Sequence, residues 1–482
     1  MDKNRGSRKF ASGLFWSYAE RFLSQGITLL VSIVLARILD PEHYGIIAIV
    51  SIFITICDAL VTGGFGNALV QKKNATDIDF DSISWLSIGV AVLLYIILFF
   101  SSPIIASFYN ESLLTPVLRV MGMKFIFSAF NSVQQAYVQR KMIFKKFFWA
   151  TLGSTGISAV VGISMALNGF GVWALVGQYL SNTVISTVIL CLTIGWKPKF
   201  RISISSIKEL WKFGAGMLAA TMTYVFKDNI RSLIIGKRFT SSDLAFYNQG
   251  KKYPQLLVTD IVESLGKVMF PVLSAQQDSA GKVKRIMRES VRVSSYVLTP
   301  CIIGLLSVAD TFVLAVLTEK WLPCVPYMRV LSLVYITRPM TTIFQKGLLA
   351  IGKTGVNLFH EIITSVLTII LLLVAVFAFD SIILIAWSYV LIMILGLLIF
   401  AFFVKKHFAY SFSEMLSDYL PSFVLSCAMG VSAFACGAFP FAPAIKLITQ
   451  VIVGAVVYIV LSYIFKVDGF MYLKKTVSNI KK

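Results

Sequence analysis

Long apolar runs, rather than the two-residue alternation of half-buried strands, set the rhythm of this chain. The stretches 83–100, 363–379 and 382–404 contain no charged residue. At about 1.5 Å per helical residue, runs of this length suit a hydrocarbon layer roughly 30 Å thick. The pattern predicts fourteen helices, near 14–36, 45–62, 82–108, 117–138, 147–167, 170–195, 208–235, 244–270, 289–316, 324–349, 356–379, 380–404, 417–439 and 444–466. A membrane β-barrel would show shorter, alternating segments. The expectation is an all-α polytopic membrane protein. Residues 1–10 are basic, but the apolar segment after them is long and lacks a small-x-small cleavage site. It reads as the first membrane helix and not as a cleavable signal peptide.

Composition agrees: 57% of the 482 residues are hydrophobic and only 14% charged, with a mean hydropathy of +0.80. Soluble domains lie nearer half apolar and a quarter charged. The net charge of +21 would suggest nucleic acid in a soluble protein, but its distribution decides otherwise. Basic clusters at 140–146, 197–212, 282–292 and 464–482 fall on one side of the predicted spans. That is the positive-inside pattern, which puts both termini in the cytoplasm. The basicity then serves topology and contact with anionic lipids, and no nucleic-acid partner is expected. The six cysteines (Cys57, Cys191, Cys301, Cys324, Cys427 and Cys436) have no paired spacing, so neither disulfides nor a metal site is expected. The connecting stretches, about 10–20 residues at most, are too short to bury a soluble core, and no GxxxxGK[ST] loop occurs. The sequence reads as a transporter and not as an enzyme.

A weak internal repeat organises the helices. Residues 36–46, "ARILDPEHYGI", fall over 236–246, "GKRFTSSDLAF", pairing Arg37 with Lys237. Residues 64–71 fall over 264–271, and 118–125 over 328–335, the last aligning Arg119 with Arg329. The common order predicts two six-helix lobes in a parallel pseudo-two-fold repeat, plus two C-terminal helices. The expected divisions are 1–200, 201–406 and 407–482. Such repeats are typical of transporters, with the substrate between lobes and alternating access to it.

Ionisable groups inside spans are costly and mark function or pairing. The predicted spans carry Arg21, Lys124, Lys227, Arg231, Lys251, Lys252, Lys267, Arg338 and Lys346. Within "MTYVFKDNIRSLIIG" (222–236), Lys227 and Arg231 share one helical face, with Asp228 beside it. Asp58, Asp228, Asp260 and Glu263 are either counter-ions or sites of proton or sodium coupling; no other cofactor is expected. Gln25, Asn131, Gln134, Gln135 and Gln345 add neutral polar groups suited to sugar contacts. Two readings stand: buried pairs that neutralise each other, or a central water-filled cavity with a cationic bias for an anionic ligand. Lys267 also has the option of snorkelling to the inner headgroups.

Three smaller motifs have plainer readings. "DIDFDS" (77–82) lacks the nucleotide fold that a metal-binding DxD requires, and suits helix capping. "ALVTGGFG" (59–66) is no phosphate loop, and predicts a hinge or a close helix approach. His360–Glu361 reads as an interfacial polar pair or a proton relay.

Several stretches resemble the Wzx-type polysaccharide flippases, of the superfamily that also holds MurJ-like lipid II flippases and MATE exporters. They are "VLARILDPEHYGIIAI" (34–49), "GGFGNALVQKK" (63–73), "QRKMIFKKFFW" (139–149), "GFGVWALVGQ" (169–178), "LWKFGAGM" (210–217), "DNIRSLIIGKRFTSSDLAFYN" (228–248) and "KVMFPVLSAQQ" (267–277). The likeness covers about residues 10–360 and is closest to the colanic-acid and teichuronic-acid exporter-like branch. At 237–246, "KRFTSSDLAF" departs from the small and glycine-rich residues usual in the family. The resemblance implies that an undecaprenyl-diphosphate-linked oligosaccharide passes from the inner to the outer leaflet. It also implies membrane lipids, a polysaccharide polymerase and chain-length proteins as partners. Its cations would hold the diphosphate, Arg bidentately and Lys as a point charge. A MATE-like exporter of small molecules, a non-transporting assembly scaffold and a membrane polymerase or ligase are the rival classes.

Overall fold

The computed structural model describes residues 2–62, 64–472 and 474, with side chains from Phe15 onward except at Asn67, Lys212, Phe213 and Ala220. Gly63 of the glycine-rich stretch and most of the basic 464–482 cluster beyond Tyr472 lie outside the described residues. Among the described residues there are helices and turns but no strand. The chain divides into two compact units, 1–245 and 246–482.

The first unit contains α1 (Asp2–Ile38), α2 (Pro41–Thr62), α3 (Phe65–Gln71), α4 (Asp77–Tyr109), α5 (Leu114–Gly122), α6 (Lys124–Lys141), α7 (Phe144–Leu167), α8 (Val172–Thr193) and α9 (Ile204–Arg238). A capping box starts α4: Thr76 N and Oγ1 donate to Asp79 Oδ2 at 2.8 and 3.1 Å. The acidic run is therefore a helix start, as its composition predicted. Buried Asp81 extends it by accepting from Lys199 N at 3.0 Å. Lys72, between α3 and α4, bridges Asp79 at 3.0 Å and Glu209 at 2.8 Å. The Glu209 carboxylate, hydrogen-bonded to it, raises the Lys72 ammonium above its usual pKa. Gly64 shows why the α2–α3 junction needs glycine: an added Cβ would lie 2.2 Å from the Gly214 carbonyl oxygen of α9. The stretch is a close helix approach. Pro103 within α4 supplies no N–H for the Phe99 carbonyl four residues back. Arg119 Nε donates to that oxygen at 3.3 Å and to Ser102 Oγ at 3.1 Å.

In sequence order, α10 (Ser241–Ser274) leads into the second unit. That unit continues with α11 (Ala280–Ser307), α12 (Ala309–Phe312), α13 (Val325–Ile336), α14 (Arg338–Ala350), α15 (Thr354–Phe377), α16 (Ile382–Phe408), α17 (Phe412–Cys436) and α18 (Pro443–Ile464). A π turn (Val313–Leu317) and a 3-10 turn (Glu319–Cys324) precede α13. Its core includes Met287, Val291, Phe344, Phe400 and Tyr410 from α11, α14, α16 and the α16–α17 turn. The predicted helix 324–349 is divided because Pro339 occupies the first turn of α14, where its ring and missing N–H prevent continuation from α13. The predicted helix 117–138 is likewise divided, into α5 and α6 at Met123.

Among the described residues, ten helices are long and apolar enough to cross a membrane by length and composition. Large apolar side chains such as Phe377 and Leu192 are 83% and 77% exposed on their outer faces, which fits lipid as the surrounding solvent. The protein is a multi-pass membrane protein. The helices α6, α9, α10 and α14 are not among the ten, and these carry most of the cations that the sequence singled out.

Candidate functional site

Inside the first unit lies a cavity of about 460 Å³ whose wall is polar and uncharged. Helix α6 builds much of it. Ser128, Asn131, Ser132, Gln135 and Gln139 recur at three- and four-residue steps, which places them along one helical face. On the other side of α6, Phe125, Ala129, Val133 and Val138 are buried in packing. Thr151 and Ser154 come from α7, and Asn182, Thr183 and Ser186 from α8. Phe147 contributes an aromatic face.

Amide and hydroxyl groups tie these helices together. Asn131 Nδ2 donates to Ser186 Oγ at 3.1 Å and to Thr187 Oγ1 at 3.4 Å. Gln135 Nε2 donates to Asn131 Oδ1, and Asn182 Nδ2 to Ser158 Oγ at 3.2 Å. Fixed donors and acceptors of this kind orient a polar ligand without charge. An ion pair borders the cavity without lining it. Lys124 Nζ lies 2.7 Å from Asp58 Oδ2, one helical turn before the wall residue Thr62, which donates to the Asp58 carbonyl at 2.7 Å. Thr151 is also hydrogen-bonded with Glu20 of α1, beside Arg21.

The residues selected from sequence are thus distributed unevenly. Asn131 and Gln135 line the cavity. Gln134, one position away, is buried and donates to Cys191 Sγ at 2.8 Å, so it serves the packing of α6 on α8 and not the wall. Asp58 and Lys124 are brought together as partners. Gln25 is exposed and Arg21 half-buried on α1. On α9, Arg231 is buried, with Lys227 and Asp228 half-buried beside it.

In the second unit, Lys251, Lys252 and Asp260 of α10 are half-buried, while Glu263 and Lys267 are exposed. Helix α14 separates its faces clearly. Met340, Ile343, Phe344 and Leu348 are buried in the core, whereas Arg338, Gln345 and Lys346 stay half-buried. The Lys346 stem lies close to α10, its Cε 3.3 Å from where a Cβ on Gly266 would be. His360 stacks on Phe400 with ring centroids 4.2 Å apart and lies 3.6 Å from Glu361, in α15–α16 packing.

The hydroxyl-bearing wall residues, with Gln139 and Asn182, were not singled out from sequence. Their signal was present as the α6 stripe and the 182–183–186 cluster on α8. It was hidden because serine and threonine in membrane helices commonly bond their own preceding turn, as Ser154 Oγ does to the Thr151 carbonyl at 3.0 Å.

Residues 34–326 match the family model described as "Polysaccharide biosynthesis protein". The chain is 27% identical over 408 residues to the teichuronic acid biosynthesis protein TuaB of Bacillus subtilis (strain 168), covering 83% of each. It is 22% identical over 356 residues to the lipopolysaccharide biosynthesis protein WzxC of Escherichia coli (strain K12), covering 72% of this chain and 71% of that one. Among solved structures, the lipid II flippase MurJ in its inward closed conformation matches with a TM-score of 0.75 at 15% identity. That match covers 94% of this chain and 98% of MurJ, and shows a shared fold.

Proposed function

Because the chain belongs to the polysaccharide biosynthesis protein family, we propose that it moves an undecaprenyl-diphosphate-linked oligosaccharide from the cytoplasmic to the outer leaflet of a bacterial inner membrane. The observation that carries this reading is the neutral amide- and hydroxyl-lined cavity of the first unit. A hydroxyl-rich cargo suits such a wall, whereas an apolar cargo would leave its polar groups without partners. The cations of α9, α10 and α14 suit the diphosphate, for which each Arg or Lys offers charge-assisted hydrogen bonds. A proton or sodium gradient drives the cycle in this reading, with Asp58 as the carboxylate it acts through, since a proton or cation on Asp58 would release Lys124 from their ion pair. The names of the relatives, which belong to teichuronic acid and lipopolysaccharide biosynthesis, favour a cargo of this class. Membrane lipids, a polymerase and chain-length proteins are the partners that such a role requires.

Deleting the protein tests the proposal. The expected result is lipid-linked oligosaccharide trapped on the inner leaflet together with loss of surface polysaccharide. Accumulation on the outer leaflet would place the protein after the flipping step and refute the reading.

A further inference from the structure

The wall of the first-unit cavity also limits which sugar it accepts. Two of its amides each give one N–H to the protein, Gln135 Nε2 to Asn131 Oδ1 and Asn182 Nδ2 to Ser158 Oγ, and keep a second. The wall thus offers donors, including its serine and threonine hydroxyls, beside two groups that only accept, the carbonyl oxygens Gln135 Oε1 and Asn182 Oδ1. A sugar hydroxyl or N-acyl N–H satisfies them by donating. A carboxylate, which only accepts, does not.

Charge points the same way. Among the described residues, no Lys, Arg, Asp or Glu lines the cavity. Nearby Lys124 is already matched by Asp58 at 2.7 Å, and the charged group bonded to wall residue Thr151 is a carboxylate, Glu20, which also sets the charge opposite the adjacent Arg21. An acidic sugar entering here would lose water without gaining a counter-ion, a cost that uncharged rings avoid. Phe147 offers the apolar face of a pyranose a surface to rest on.

We propose that this cavity is a specificity subsite for one uncharged hexopyranose, a hexose or N-acylhexosamine, and that it rejects sugar acids. The proposal rests on the flippase reading and adds to it which ring sits where: acidic units and the diphosphate bind outside this cavity.

The test uses the full-length chain in phospholipid nanodiscs and three probes: methyl glucoside, methyl N-acetylglucosaminide and methyl glucuronide. Saturation-transfer NMR is expected to show binding of at least one neutral glycoside, with the glucuronide about tenfold weaker or absent, a ratio worth about 1.4 kcal/mol. Asn182→Leu removes an acceptor and is expected to abolish the neutral signal. Gln139→Lys alters an exposed wall position, so the fold is expected to tolerate it, and its ammonium is expected to admit the glucuronide. The proposal is overturned if the glucuronide binds the unaltered protein as well as the neutral sugars do. It is also overturned if no sugar binds, or if Gln139→Lys leaves the preference unchanged in a monodisperse protein. Each of those results with oligosaccharide still trapped on the inner leaflet of a deletion strain removes the subsite and leaves the flippase reading standing. Outer-leaflet accumulation removes the reading itself.

Discussion

Two polar clusters, one in each unit, handle polarity in opposite ways. In the first, Asn131, Gln135, Asn182 and Ser186 surround open space and carry no charge. In the second, ionised groups of α11 and α17 satisfy one another, beside a cavity of about 650 Å³ that Arg292, Asp418 and Asp468 help to line. The carboxylate of Asp418, with a fully buried side chain, accepts from Arg288 Nε at 2.7 Å, Arg292 Nη2 at 2.6 Å and Tyr410 Oη at 2.8 Å. Glu414 adds Lys284 at 2.8 Å and Arg288 at 3.1 Å, and Arg292 reaches Asp468 at 2.7 Å. A buried carboxylate is tolerated only with such partners. Neutral amides and hydroxyls cost far less to leave half-satisfied, so they can wait for a ligand. The contrast separates a clamp that joins α11 to α17 from a wall that can be read by a cargo.

The largest effect should come from breaking the clamp. Asp418→Ala would remove the acceptor that Tyr410, Arg288 and Arg292 share, leaving Arg288 with Glu414 and Arg292 with Asp468, and is expected to cost about 3 kcal/mol of stability. Thermal unfolding of the purified protein measures it, and an unchanged midpoint would show that the network is ornamental. Asn131→Ala comes next, because it loosens α6 from α8 and removes a wall group. About 1–2 kcal/mol should be lost, together with most transport in a surface-polysaccharide complementation assay. If stability falls while transport survives, the first unit's polar network is a clamp too and the comparison fails.

Asp58→Asn tests the border between the two strategies. It leaves Lys124 without its ionic partner in the first unit, and should cost about 1 kcal/mol while abolishing dependence of transport on the ion gradient. Gradient-dependent transport by the Asn variant would exclude Asp58 as the coupling site. The smallest effect is expected where the units agree. Both start a helix with a capping box, Thr76–Asp79 on α4 and Ser411–Glu414 on α17. Thr76→Ala should cost about 1 kcal/mol, read as a modest shift in unfolding midpoint with transport unchanged.

Legibility varied from residue to residue. The acidic run 77–82 and the glycines of 59–66 were readable because capping and close approach depend on local residue type. The pairing of Asp58 with Lys124 was not, since the two are 66 positions apart and each had several candidate partners. Gln134 and Gln135 look alike in sequence, yet one helical step of about 100° sends the first into packing and the second to the wall. The repeat aligned Arg119 with Arg329, but their partners differ. Arg119 serves a carbonyl freed by Pro103, while Arg329 pairs with the Asp310 carboxylate.

What the sequence determined by itself is what depends on transfer from water to lipid: helical spans, their approximate limits, and the positions where charge interrupts them. These follow from hydropathy and backbone satisfaction, which act residue by residue along the chain. Tertiary structure alone decided which polar groups neutralise each other and which remain open. That choice depends on helix rotation and on distances of a few ångströms between segments far apart in sequence. The cavity of α6, α7 and α8 is therefore a property of the folded first unit, although every residue on its wall was visible beforehand.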